Sequence, residues 1–185
     1  GGKVSMPGMM DSVLNIGLND SNVSQLAKAF NDERFALDSY RRLIQMYSNV
    51  VLGVEHERFE AVLANKKRMD NIDSDADFNV DQLNWIINAF KNTVERFTDS
   101  LFPQEPYEQL TGAIEAVFNS WQNKRAITYR KINNIPDTLG TGATIQTMVF
   151  GNLNDKSGTG VAFTRNPSNG DKELYGEYLI NAQGE

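Results

Sequence analysis

Two glycine-threonine-glycine runs, Gly140-Thr141-Gly142 and Gly158-Thr159-Gly160, are the stretches whose residue types best suit contact with a polyanion. Glycine lets backbone approach a ligand closely, and threonine adds a hydroxyl donor. Neither run has the Lys-Ser/Thr ending of a P-loop or the third glycine of a dinucleotide fingerprint, so Walker-type and Rossmann binding are unsupported. Either run alone reads as a turn; two of them flanking strand patterns strengthen the phosphate reading. Gly8, in Ser5-Met6-Pro7-Gly8-Met9-Met10-Asp11, is a third place where a phosphate could come close, while Met6, Met9 and Met10 could simply fill core gaps. Glu177 and Glu185 would share a face of one strand and could meet ribose, magnesium or a basic partner, or stand solvated. Arg125 and Arg165 carry the guanidinium that suits phosphate, or are surface charges.

Other chemistries are poorly supplied. His56, the only histidine, lies between Glu55 and Glu57 and reads as an exposed helix residue, not a catalytic one. A Ser-His-Asp triad would have only this base, with no G-x-S-x-G elbow beside it. The absence of cysteine removes disulfides and thiolate zinc sites. Asp73, Asp75 and Asp77 alternate like the opening of a calcium loop, yet Phe78 stands where Gly is needed and Asn84 where Glu is needed. A solvated acidic loop is expected there. A net charge of -6 opposes nonspecific nucleic-acid binding. No run approaches the ~20 apolar residues of a membrane span and no leader opens the chain, so the expectation is a cytoplasmic protein without membrane or nucleic-acid partners. The Asn22-Val23-Ser24 glycosylation match is read as chance. The Gly1-Gly2 start and the stop at Glu185, just after a strand pattern, read as the edges of a longer chain.

The elements that must position these residues fall into three segments, 1–20, 21–132 and 133–185. The first is a glycine- and methionine-rich loop with a brief strand or turn. The second has helical periodicity throughout. Val23, Leu26, Ala27 and Phe30 follow a cap at Ser21 or Asn22; Leu37, Tyr40, Ile44, Tyr47 and Val51 mark a longer helix ended by Gly53. A weaker helix carries Phe59, Val62 and Leu63, and a strong one carries Leu83 through Phe97 and stops before Pro103. Asn65 to Asn79 reads as a linker-like interruption between them. Pro106 opens a helix whose apolar stripe is Leu110, Ala113, Ile114, Val117, Phe118 and Trp121, and helix continues or restarts from Arg125 to Ile132. The third segment alternates as strands over Ala143–Phe150, from Gly158 onward and over Glu173–Ile180, predicting a three-stranded antiparallel meander with one buried face.

Read with the Ser5–Asp11 motif, the run from Gln146 to Glu185 resembles the nucleotide-binding domain of pyruvate, phosphate dikinase. Similarity also runs through Phe35-Ala36-Leu37-Asp38-Ser39-Tyr40-Arg41-Arg42 and covers nearly the whole chain, most weakly from Glu55 to Val80. The resemblance implies an α+β architecture: a helical bundle subdomain followed by a short antiparallel β segment, part of an ATP-grasp-like domain. It implies transfer of the ATP β-phosphate to a histidine on a separate domain, with inorganic phosphate taking the γ-phosphate, and formation of phosphoenolpyruvate from pyruvate on a third. Carried over to this chain, it places Gly8 and Met9 on a loop near ATP, Gln146, Thr159 and Gly160 along the cleft, and Glu185 at the ribose edge. Arg125, Ser168 and Glu177 fall where the phosphohistidine domain docks. It also implies magnesium, a homo-oligomeric parent, and cationic and metal-holding ligands outside this chain, so that the chain alone should be inactive. A phosphoenolpyruvate synthase fragment is the sister reading, disfavoured by the methionine-rich loop. A noncatalytic helical module binding a partner through Trp85, Trp121 and phenylalanine stripes is the reading from another class.

Overall fold

The computed structural model describes residues 4–183. The chain divides into two compact units, Gly1–Gln146 and Thr147–Glu185. The first is helical: α1 Val23–Phe30, α2 Glu33–Val50, α3 His56–Asp70, α4 Val80–Thr98, α5 Pro106–Asn119 and α6 Lys124–Ile132. The second holds an antiparallel hairpin, β1 Gly158–Phe163 and β2 Tyr175–Ile180.

Local chemistry sets the helix ends. The Asp32 carboxylate accepts from Phe35 N at 2.9 Å to start α2. Asn79 and Gln82 satisfy each other's backbone N–H groups in a capping box at the start of α4. Asn31, Asn71 and Asp99 stop α1, α3 and α4 in the left-handed region, where asparagine and aspartate are the best tolerated side chains after glycine. The core closes mainly between α2 and α4, with Tyr40, Leu43, Ile44 and Tyr47 in one cluster with Leu83, Ile86, Phe90 and Val94. Phe59 of α3 meets Phe90 edge-on at 4.9 Å, and Phe102 meets Tyr47 at 5.7 Å.

Three expectations are corrected. Helix α3 runs through Asp70, so the interruption begins only at Asn71; Lys66 pairs with Asp70 one turn on at 2.8 Å, and polar residues there decorate a helix instead of breaking it. The α5 stripe is only partly used: Ala113 is buried, Phe118 is 49% exposed, and Trp121 lies beyond the helix in a 3₁₀ turn, Ser120–Gln122. Over its described residues the segment before α1 forms turns, one of the two forms expected of it. Finally, Ala143–Phe150 alternates correctly yet joins no sheet among the described residues; Ile145 and Val149 are exposed. The sheet therefore has two strands, and the expected buried face is not formed, since Val161, Phe163, Tyr178 and Ile180 all remain exposed. A lone hairpin has no second layer against which to bury a face.

Candidate functional site

The loop ahead of α1 has little backbone structure, and side chains of the helices hold it. Met9 N donates to Met6 O at 3.2 Å across a turn in which Gly8 takes φ +69°. Space around Gly8 is open, with nothing within 4 Å of where a Cβ would stand. Arg125 Nε, in the first turn of α6, donates to Met9 O at 3.2 Å, and Nη2 pairs with Asp11 Oδ1. The other Asp11 oxygen accepts from Asn123 at 3.0 Å, and Asp11 N donates to Ser120 Oγ at 3.2 Å. Gly8, Met9 and Arg125 thus come together, although sequence reading assigned them to separate surfaces.

Further along, Gln109 of α5 is fully buried and bonds three backbone groups in two segments of the chain. Its Oε1 accepts from Gly17 N at 2.8 Å, while Nε2 donates to Leu18 O at 3.0 Å and Pro103 O at 2.8 Å. Asn15 Nδ2 donates to Ser39 O at 3.1 Å and Asn19 Nδ2 to Gln104 O at 2.8 Å. Tyr40 donates to Asp20 at 3.0 Å, and burial, with Asp20 beside it, raises the phenol well above its ordinary range. Asn22 Nδ2 donates to Gly17 O at 2.7 Å, so the glycosylation-like asparagine is engaged in the same seam. Sequence reading missed Gln109 because a polar residue among Leu110, Ala113 and Ile114 looks like the solvent edge of an amphipathic helix. Pro106 three residues earlier and the glycine-asparagine loop were the available signals.

In the second unit, Thr159 Oγ1 donates to Ala182 O at 2.6 Å, and Ala182 N donates to Gly151 O at 3.0 Å. Gly151 is buried where a Cβ would overlap Thr159 Oγ1 and Ala182 O. Gly160 pairs with Tyr178, and a Cβ on it would stand 2.6 Å from Glu177 O and 2.9 Å from Tyr178 Cβ. Its missing side chain therefore serves close strand approach inside the hairpin. Glu177 lies opposite Val161 and is exposed. Ser168 is exposed in the connection between the strands, its N–H donating to Asn166 Oδ1 at 2.9 Å, and Arg165 in the same connection donates to Gly170 O at 3.1 Å. Gln146 is exposed and closes the first unit. Gly140, with φ +65°, ends a short 3₁₀ turn. Glu185 lies outside the described residues.

His56 opens α3 with a half-exposed ring, its Nε2 3.3 Å from Glu60 Oε1. That oxygen also accepts from Gln45 Nε2 at 2.7 Å. Among the described residues, no group of three His, Cys, Asp or Glu side chains gathers to hold a metal. The acidic loop is not simply solvated: Asp75 lies 2.8 Å from Lys67 Nζ and 3.9 Å from the buried Arg41. Arg41 also pairs with Asp38 at 2.8 Å; burial opposes ionisation of Asp38, but Arg41 and Arg42 together hold it below the usual carboxylate range. A second buried guanidinium, Arg130, stacks 4.1 Å from the Trp121 ring and bonds Asp137 Oδ1 and Trp121 O, each at 2.6 Å. Trp85 is 40% exposed, with Lys66 Nζ 5.0 Å from its ring centroid.

A helical bundle followed by an antiparallel hairpin makes this an α+β protein, and its ATP-grasp-like character rests on the family match. A family model described as pyruvate phosphate dikinase, AMP/ATP-binding domain, matches residues 2–185. The chain belongs to that family. It is 55% identical over its full length to pyruvate, phosphate dikinase of Rhizobium meliloti (strain 1021) and 54% identical to that of Clostridium symbiosum. A chloroplastic relative from Mesembryanthemum crystallinum is 51% identical over the whole chain. The chain spans 21% of the length of the two bacterial relatives and 19% of the plant one. Among the described residues, no helix is long and apolar enough to cross a membrane.

Proposed function

We propose that this chain supplies part of the nucleotide cleft of a dikinase that uses ATP and phosphate to phosphorylate a histidine on another domain of the same polypeptide. That phosphohistidine then forms phosphoenolpyruvate from pyruvate, with AMP and pyrophosphate released. The observation that carries this reading is the family match across residues 2–185, and the dikinase names of the relatives favour it over phosphoenolpyruvate synthase or a noncatalytic helical module. Gly8, Met9, Gln146, Thr159, Gly160 and Glu185 border the nucleotide in this reading, and Arg125, Ser168 and Glu177 meet the phosphohistidine domain. The open Gly8 turn supports the first group. The Thr159 hydroxyl would exchange its bond to Ala182 O for a ligand oxygen. Magnesium would neutralise phosphate charge, held by ligands that the family resemblance places outside this chain. The parent works in this reading as a cytoplasmic homo-oligomer.

The chain by itself should not catalyse. Phosphoryl transfer depends on positioning and on neutralising charge, whereas this chain carries a net charge of -6 that repels a triphosphate. His56 lies 3.3 Å from Glu60 on the exposed face of α3. Nucleotide contacts from one side of a cleft leave affinity near ~1 mM or weaker, about -4 kcal/mol. Incubation with labelled ATP, magnesium and phosphate should yield neither AMP nor phosphohistidine, while titration with ATP shifts the amides of Gly8, Met9, Thr159 and Gly160. Turnover that disappears in His56→Ala would overturn the reading.

A further inference from the structure

We propose that Arg125 is a positioning residue for the Gly8 turn, gripping the Met9 carbonyl through Nε while Asp11 holds Nη2. The inference rests on the reading that Gly8 and Met9 border the nucleotide, and gives that site a support that no docking role describes. The turn's own backbone bond, Met9 N to Met6 O, is 3.2 Å long, and Ser5, Pro7 and Gly8 around it are exposed. Such a bond competes with water and cannot by itself fix the turn. The Arg125 Nε–Met9 O bond adds a second constraint. Pinning that carbonyl sets the Met9–Met10 peptide plane, and with it the course of the chain entering from Gly8.

The grip is itself braced. Asp11 meets Arg125 with one oxygen and Asn123 with the other, and its own N–H is held by Ser120 Oγ, whose hydroxyl donates to Val117 O at 2.6 Å. Both the carboxylate and the guanidinium are therefore fixed against the α5–α6 corner. The planar fork of arginine can serve a carbonyl and a carboxylate at once; the single ammonium of lysine cannot reproduce both directions. The Arg125 side chain is 51% exposed, so the grip forms at the surface and carries little of the bundle's stability.

The test labels the methionine methyl groups of the full 185-residue chain with ¹³C and compares wild type, Arg125→Ala, Arg125→Lys, Asp11→Asn and the double variant Asp11→Asn/Arg125→Ala by NMR. Arg125→Ala should sharpen and shift the Met9 and Met6 methyl signals toward free-chain values. Met46, inside α2, should stay unchanged, as should the thermal transition. Arg125→Lys should recover less than half of the effect, and the double variant should be no worse than Arg125→Ala, because both remove one linked contact. Titration with Mg-ATP up to ~10 mM should move the wild-type Met9 signal, with affinity falling about fivefold in Arg125→Ala. An unchanged Met9 signal in Arg125→Ala overturns the proposal. A loosened Met9 with no response to Mg-ATP in the wild type supports the positioning role and strikes the nucleotide role of the loop instead.

Discussion

Replacing Gln109 with leucine would test how the loop ahead of α1 is held. The side chain is fully buried, and its amide serves Gly17 N, Leu18 O and Pro103 O with bonds of 2.8, 3.0 and 2.8 Å. Leucine fills nearly the same volume, so no large cavity opens and the loss comes from three stranded backbone groups. At a net ~1 kcal/mol for each bond, the expected cost is about 3 kcal/mol. For a chain of this length that lowers the thermal midpoint by roughly 6–12 °C. Gln109→Glu keeps the acceptor for Gly17 N but turns a carboxylate toward two carbonyl oxygens. Its acid form is favoured in the folded state, so it should be less damaging at pH 5 than at pH 8. The assay is thermal and urea unfolding followed by circular dichroism, with Asn65→Ala on the exposed face of α3 as a control. A Gln109→Leu midpoint within ~2 °C of wild type would refute this role of Gln109, since the released groups would then have found water at no cost.

Asp38→Asn should cost about 3 kcal/mol at neutral pH, because it removes the close carboxylate partner of the buried Arg41 and leaves only Asp75 at 3.9 Å. The folded carboxyl lies below its ordinary value of 3.8, so this contribution is present above that value and fades as pH falls through the folded one; urea midpoints of variant and wild type should converge in acid. Gly160→Ile should open the hairpin through collision with Glu177 O and leave the bundle's transition in place, read as faster amide exchange confined to 158–180. In wild type, amides from Leu83 to Val94 should exchange more slowly than those of the hairpin, because the core cluster lies in the helices; the reverse order would deny the bundle its independent stability.

Where local chemistry decides, the chain was readable. The Asn79–Gln82 box, Pro106 at the start of α5 and the apolar period from Leu83 to Val94 each fix an element without help from elsewhere. Distant contacts decide the rest. Ala143–Phe150 has a strand's alternation, but pairing needs a neighbour that alternation cannot supply. Asn65–Asp70 looked like a linker because its polar residues say nothing about the ion pairs and the C-terminal turn that carry α3 onward. In the candidate site, Gly8 and its exposed turn were legible from Pro-Gly. The grip of Arg125 on Met9 joins residues 116 positions apart and has no signature along the chain.

Because every member of the main core cluster lies between Leu37 and Ala113, the bundle can fold on the ribosome before the hairpin has been made. At ~5–20 residues per second, translation from Thr147 to Ile180 takes about 2–7 s, far longer than helix formation and collapse require. The strands, with Val161, Phe163, Tyr178 and Ile180 exposed, therefore emerge tethered to an already folded, acidic partner. Such a tether works as a built-in solubility tag, keeping neighbouring nascent chains apart while the sticky strands are still unpaired.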